Sequence, residues 1–197
     1  MSAEARREQF VAAAIEVMSA RGLEHATTRA IALQAGAPQA AIHYAFRDKN
    51  ELLAAVIMEV GTQVERVLRA AVQPEKGLIA AVRDGLNAYW EHVVGDDGLQ
   101  LLQYELTIFS RRTPGFEWLA EAQYARYVAV VEEVFGAALA HEPDPPAIDL
   151  AALSRFMVAV VDGLIIQYQV DHDAVRSRAG LDLAISTAAL LTGLGSG

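Results

Sequence analysis

Apolar residues recur every three to four positions along nearly the whole chain, the spacing that lines one face of an α-helix. Phe10, Ala14, Ile15 and Met18 predict helix one over about 3–20, stopped by Gly22. Thr27 and Thr28 offer a hydroxyl N-cap to helix two, whose stripe is Ile31, Ala32 and Ala35, and Gly36 suits a left-handed stop. Pro38 opens helix three, where a missing N–H costs nothing, and Ile42 and Phe46 turn toward helix two. Asp48, with Glu51 three residues on, predicts the start of helix four, which continues through Leu52, Val56, Val60 and Val64 to about 72. Helix five follows Pro74 to about 94, Asp96-Asp97-Gly98 is a turn, and helix six covers about 99–110. Thr113-Pro114 reads as the cap and first position of helix seven, which reaches about 140. A linker at 142–146 separates it from helix eight, about 147–170, and helix nine spans about 180–194. No segment alternates with period two, so the expected fold class is all-α, a nine-helix chain in two parts.

Two of these elements carry more information than the rest. Helices two and three, joined by a tight turn, form a helix-turn-helix that leaves Gln39, Ala40 and Tyr44 on an outward face, a shape that enters a major groove. Helix eight is apolar nearly all round from Leu150 to Ile166, interrupted mainly by Ser154, Arg155 and Asp162. Such a helix needs cover on both sides. A symmetry mate supplies it if helix eight and helix nine (Leu181, Leu183, Ile185, Leu190, Leu191) form an isologous four-helix interface, with Gly163 allowing close approach. A central core helix in a monomer is the other reading.

Charge sharpens this picture. The net charge of −9 argues against nucleic acid for the chain as a whole. Residues 1–49, however, carry six basic groups against five acidic ones, while the remainder carries ten against twenty. Phosphate therefore repels the body and tolerates the N-terminal end. There is no cysteine for disulfides or thiolate metal sites. The first residues resemble a charged helix rather than a signal peptide, and Asp162 and Gln167 break the longest apolar stretch before the ~20 residues that cross a bilayer. The expectation is a cytoplasmic protein with no membrane partner.

Candidate chemistry lies in the body. A pocket for a largely apolar or aromatic small molecule needs aromatic walls and a few placed polar groups. Trp90, Tyr104, Phe109 and Tyr127 are candidates for the walls, and Gln103, Glu105 and Gln167 for the polar contacts. Glu105 as a buried carboxylate would need a cation, either a ligand amine or an arginine such as Arg111 or Arg112. No nucleophile elbow, phosphate-cradling glycine loop or HExxH motif is present, so no catalytic residue, cofactor or metal is expected. Asp171-His172-Asp173 point in different directions and cannot converge on one ion.

The run Arg21-Gly22-Leu23, Thr27-Thr28-Arg29-Ala30-Ile31-Ala32, Ala35-Gly36-Ala37 and Ile42-His43-Tyr44-Ala45-Phe46-Arg47-Asp48-Lys49 resembles the TetR family of bacterial transcription regulators. The resemblance is strongest over about 7–55 and implies an all-α homodimer in which a ligand in the body changes the spacing of two heads and releases palindromic operator DNA. It divides the chain into a DNA-binding domain at 1–49 and a ligand-binding and dimerisation domain at 50–197, with helix four connecting them. Position by position, Thr28 and Arg29 face the groove and backbone, Gln39, Ala40 and Ala41 meet base edges, His43 and Tyr44 reach bases or phosphates, and Lys49 holds a phosphate. Chemistry agrees: glutamine pairs with adenine in bidentate fashion, arginine with guanine, and an alanine methyl packs on thymine. Ala45 stands where the family often has histidine, and Ala-Pro stands where Val-Ser is common, which weakens the cap of helix three. The expected function is a repressor released by a small ligand, with a DNA-binding activator or architectural dimer lacking a ligand as the alternative.

Overall fold

The structure, a computed structural model, describes residues 2–194. Among the described residues it is all-α, with nine α-helices: α1 (Ala3–Arg21), α2 (Thr28–Gln34), α3 (Gln39–Ala45), α4 (Lys49–Ala71), α5 (Leu78–Gly95), α6 (Asp97–Arg112), α7 (Glu117–Leu139), α8 (Leu150–Asp171) and α9 (Ala174–Thr192). Single 3-10 turns at Leu23–His25 and Pro74–Lys76 precede α2 and α5. Local chemistry explains most starts. Ser2, Thr27, Asp48, Asp96, Asp149 and Asp173 each accept the amide N–H three residues on, satisfying a donor that the helix itself cannot.

Four boundaries differ from expectation, each for a visible reason. Asp96 is a cap and Asp97 already helical, so 96–98 is the start of α6 rather than a separate turn. Thr113 closes α6 instead of opening α7: its hydroxyl donates back to the Phe109 carbonyl at 2.8 Å. Gly115, at φ +84°, then reverses the chain, and α7 begins at Glu117. Asp149 delays α8 to Leu150, and Asp173 starts α9 at Ala174, well before Gly180. Gly180 is instead a contact point, where a Cβ would lie 2.4 Å from Leu164 Cδ2.

The chain packs as two compact units. The first holds residues up to Thr62 together with Asp96–Gln123, and the second Gln63–Gly95 together with residues from Tyr124 onward. α6 thus packs with the N-terminal helices, a grouping that a division at 49/50 does not contain. In the first unit Phe10, Met18, Ile31, Ile42, Leu53, Ile57, Leu102 and Leu106 are fully buried in one cluster. α6 comes so close to α1 that a Cβ on Gly98 would stand 2.3 Å from the Ser19 carbonyl oxygen.

In the second unit α8 buries Leu153, Met157, Val161 and Ile165 along one face. Its opposite side leaves Phe156, Ile166 and Val170 at 41%, 52% and 82% exposure. The sequence led to the expectation that Asp162 and Gln167 interrupt α8 short of bilayer length; by length and composition alone, however, Leu150–Asp171 is long and apolar enough to cross one. Only 28% of its most apolar stretch is buried within the chain.

Candidate nucleic-acid interface

The turn between α2 and α3 is built by hydrogen bonds that the sequence anticipates. Gly36 takes φ +60°, the Gly36 N–H reaches the Leu33 carbonyl at 3.1 Å, and the Ala37 N–H reaches the Ala32 carbonyl at 2.9 Å. This pair of bonds is the glycine-dependent Schellman closure. Pro38 precedes α3 without a side-chain cap bond, in keeping with the weakened start. At seven residues α3 is far below the ~12–15 that sustain a helix alone, so neighbours must hold it.

Arg7 on α1 does much of this. Its Nη1 donates to the Ala45 carbonyl at 2.7 Å and to Glu51 at 3.0 Å, and its guanidinium lies 4.3 Å from the centre of the Phe46 ring. Gln9 Nε2 donates to the Ala35 carbonyl at 2.7 Å, tying α1 to the end of α2. Glu51 accepts from the Arg47 N–H at 2.9 Å and from the Arg47 guanidinium at 3.1 Å. These two bonds, with the Arg7 contact, lower its carboxyl from the usual range to about 2. Sequence reading missed Arg7, because an arginine 38 residues before its partner carbonyl leaves no local signal.

With Ile42 and Phe46 buried, the other side of the motif faces outward. Arg29, Gln39, Ala40, His43 and Lys49 are exposed, Tyr44 is 91% exposed, and Thr28 and Ala41 are half-buried. Gln39 Nε2 donates to the Thr28 hydroxyl at 3.1 Å. That leaves the amide one N–H and its carbonyl oxygen, the donor–acceptor pair that the major-groove edge of adenine matches. Among the described residues Arg29 makes no ion pair; Glu24 lies instead 3.6 Å from His25 Nδ1. Lys49 is the first residue of α4, and the positive end of a helix dipole adds to its attraction for phosphate.

The residues expected to line a ligand pocket divide between the units. In the first, Gln103 is buried, Tyr104 and Phe109 are half-buried, and Phe109 packs on the N-terminal core cluster. Glu105 is exposed rather than buried, and its Oε2 accepts the Leu23 N–H at 2.9 Å. It satisfies a backbone donor and so does not need the cation expected for it. In the second unit Trp90 and Tyr127 are buried, and Trp90 meets Tyr168 edge-on at 5.4 Å. Gln167 is exposed on α8. Asp162, noted in the sequence only as an interruption, is half-buried and accepts from the Tyr124 hydroxyl. Asp171 and Asp173 both engage Arg176, and His172, at φ 49°, ends α8.

Comparison with known proteins agrees over both parts. Residues 10–56 match bacterial regulatory proteins of the tetR family, and residues 77–194 match the Tetracyclin repressor-like, C-terminal domain. The HTH-type nicotine-responsive transcriptional repressor HdnoR of Paenarthrobacter nicotinovorans is 29% identical over 173 residues, covering 88% of each chain. A putative transcriptional regulator from Pseudomonas aeruginosa PAO1 superposes with a TM-score of 0.75 at 20% identity, over 98% of this chain and 93% of that one. FadR from Bacillus subtilis, solved in complex with stearoyl-CoA, gives 0.69 at 15% identity, over 91% and 97%.

Proposed function

The chain belongs to the tetR family of bacterial regulatory proteins and is a regulator rather than an enzyme, and from that premise we propose a homodimeric, cytoplasmic repressor that a small, largely apolar ligand releases from a palindromic operator. The DNA-binding domain is residues 1–49, and 50–197 binds the ligand and dimerises. Thr28, Arg29, Gln39, Ala40, Ala41, His43, Tyr44 and Lys49 form the DNA surface. The observation that carries this reading is the exposed face of α3, where Gln39 is held by Thr28 and Tyr44 stands almost wholly in solvent. A lone tyrosine ring 91% exposed costs little in water, and its amphipathic edge serves a groove or a phosphate.

Dimerisation rests on α8 and α9. Ala152, Phe156, Ala159, Gly163, Ile166 and Val170 form a continuous outward stripe at helical spacing, and Val175, Leu183 and Leu190 are exposed on α9. A Cβ on Gly163 would meet nothing within 4 Å, which leaves room for a neighbouring helix. An apolar stripe of this extent is stabilised when a second copy covers it. The response of the relative HdnoR to nicotine, and FadR's complex with stearoyl-CoA, support a small-molecule effector in the body. Selection of bound DNA from a random pool tests the reading. A recovered palindrome with two half-sites is expected; enrichment of no sequence overturns it.

A further inference from the structure

Two successive threonines stand at the start of α2, and their hydroxyls do different work. Thr27 Oγ1 accepts the Ala30 N–H at 3.1 Å and so caps the helix. Thr28 Oγ1 accepts instead from Gln39 Nε2 at 3.1 Å, a bond between the first residues of α2 and α3. Both ends of this bond are anchored. Ile31 and Ile42, one helical turn beyond Thr28 and Gln39, are fully buried in the same core cluster. An exposed glutamine side chain is otherwise free to rotate, and ordering it against a partner costs that freedom. Thr28 orders it beforehand.

The bond also uses one of the amide's two N–H donors. In the major groove adenine presents an acceptor, N7, beside a donor, N6–H, which matches one remaining N–H beside the Oε1 carbonyl. Guanine presents two acceptors, N7 and O6. An amide with both N–H groups free can turn its nitrogen toward that pair. One held by Thr28 meets guanine O6 with its own carbonyl oxygen, and two acceptors repel. Thr28 therefore needs no contact with a base to change which base is accepted. Resting on the DNA-binding reading above, we infer that Thr28 is a positioning residue for specificity. Its hydroxyl fixes the Gln39 amide so that adenine is taken and guanine rejected at the base pair that Gln39 meets in each half-site.

The test is selection of bound DNA from a random pool by the full chain and its variants, followed by gel shifts on the recovered sequence with single-base changes. Gln39→Ala identifies the base pair, as the position whose preference disappears. There the wild type is expected to favour adenine over guanine by about tenfold or more. Thr28→Val keeps the branched shape without the hydroxyl and should shrink that ratio to about twofold, with other positions unchanged. Thr28→Ser keeps the hydroxyl and should keep the wild-type ratio. Thermal melting checks that each variant folds, and Thr28→Ala replaces Thr28→Val if the valine protein does not. An undiminished ratio without the hydroxyl, a base other than adenine at the Gln39 pair, or a Gln39→Ala protein with no altered position would each overturn the inference. So would a loss spread evenly over all positions by folded Thr28→Val, since the hydroxyl would then serve the DNA backbone. Recovery of no sequence by the wild type removes the DNA-binding reading itself, whereas a palindrome without this dependence on Thr28 removes only the inference.

Discussion

α3 and α8 expose opposite kinds of surface. α3 is seven residues long and turns Gln39, His43 and a tyrosine ring toward water. α8 is 22 residues long and turns Phe156, Ile166 and Val170 outward. Hydrogen-bonding atoms are solvated when alone, so an exposed polar face is stable until a partner with matching groups arrives. Exposed aliphatic carbon gains about 25 cal/mol for each Å² it buries, so such a face favours permanent cover. The short helix therefore suits an exchangeable partner such as DNA, and the long one a second copy of the chain. The two also differ in what holds them. α3 depends on Arg7, Gln9 and its buried Ile42, whereas α8 has its own cap and a full buried face.

This contrast can be broken at several points. The largest effect is expected from placing charge on the α8 stripe. Ile166→Glu with Val170→Glu should convert a dimer to a species of half the mass in light scattering and weaken operator binding by about 100-fold or more, since two heads no longer act together. An unchanged mass would remove the interface. Arg7→Ala comes next. It takes a charged donor from Ala45 and Glu51 and should lower stability by about 1.5–3 kcal/mol in denaturant melts. Operator affinity should fall with it, whereas an Arg7→Ala protein as stable as wild type would mean that α3 needs no such support.

Gln39→Ala and Tyr44→Ala should each weaken operator binding by about 1–3 kcal/mol in gel shifts at moderate salt, with the dimer intact. Wild-type binding by both variants would remove the assigned surface. The smallest effect concerns acid. Glu51 has a lowered carboxyl, at about 2 in the folded chain, so its contribution is complete above the ordinary value of 4.5 and is lost as pH falls from there toward 2. Melts across that window should show a steeper loss for wild type than for Glu51→Gln. Parallel curves would show that the Arg47 and Arg7 contacts do not distinguish the charged form.

Some of this was legible before any coordinates. Gly36, Thr27 and Asp48 act within four residues of their own position, through φ preference or a cap bond, and each behaves as its type predicts. Thr113 shows where local reading fails, because one hydroxyl can donate backward as readily as cap forward. Glu105 and Asp162 show the larger gap. Both are acids on a helix, and the sequence singled out Glu105, for its apolar neighbours, as the carboxylate that would need a cation. The fold brings the Leu23 N–H to Glu105 and the Tyr124 hydroxyl to Asp162, across 82 and 38 residues respectively.

By itself, then, the order of residues determined the all-α class, the helix-turn-helix and its outward face, because helix period, caps and glycine stops are short-range. It also marked α8 as a helix needing cover. Only the tertiary structure decided that Arg7 bonds the end of α3, that Glu105 serves a backbone amide, and that Asp162 meets the Tyr124 hydroxyl. Those facts depend on which distant groups meet, and a side chain's role follows from the partner it reaches.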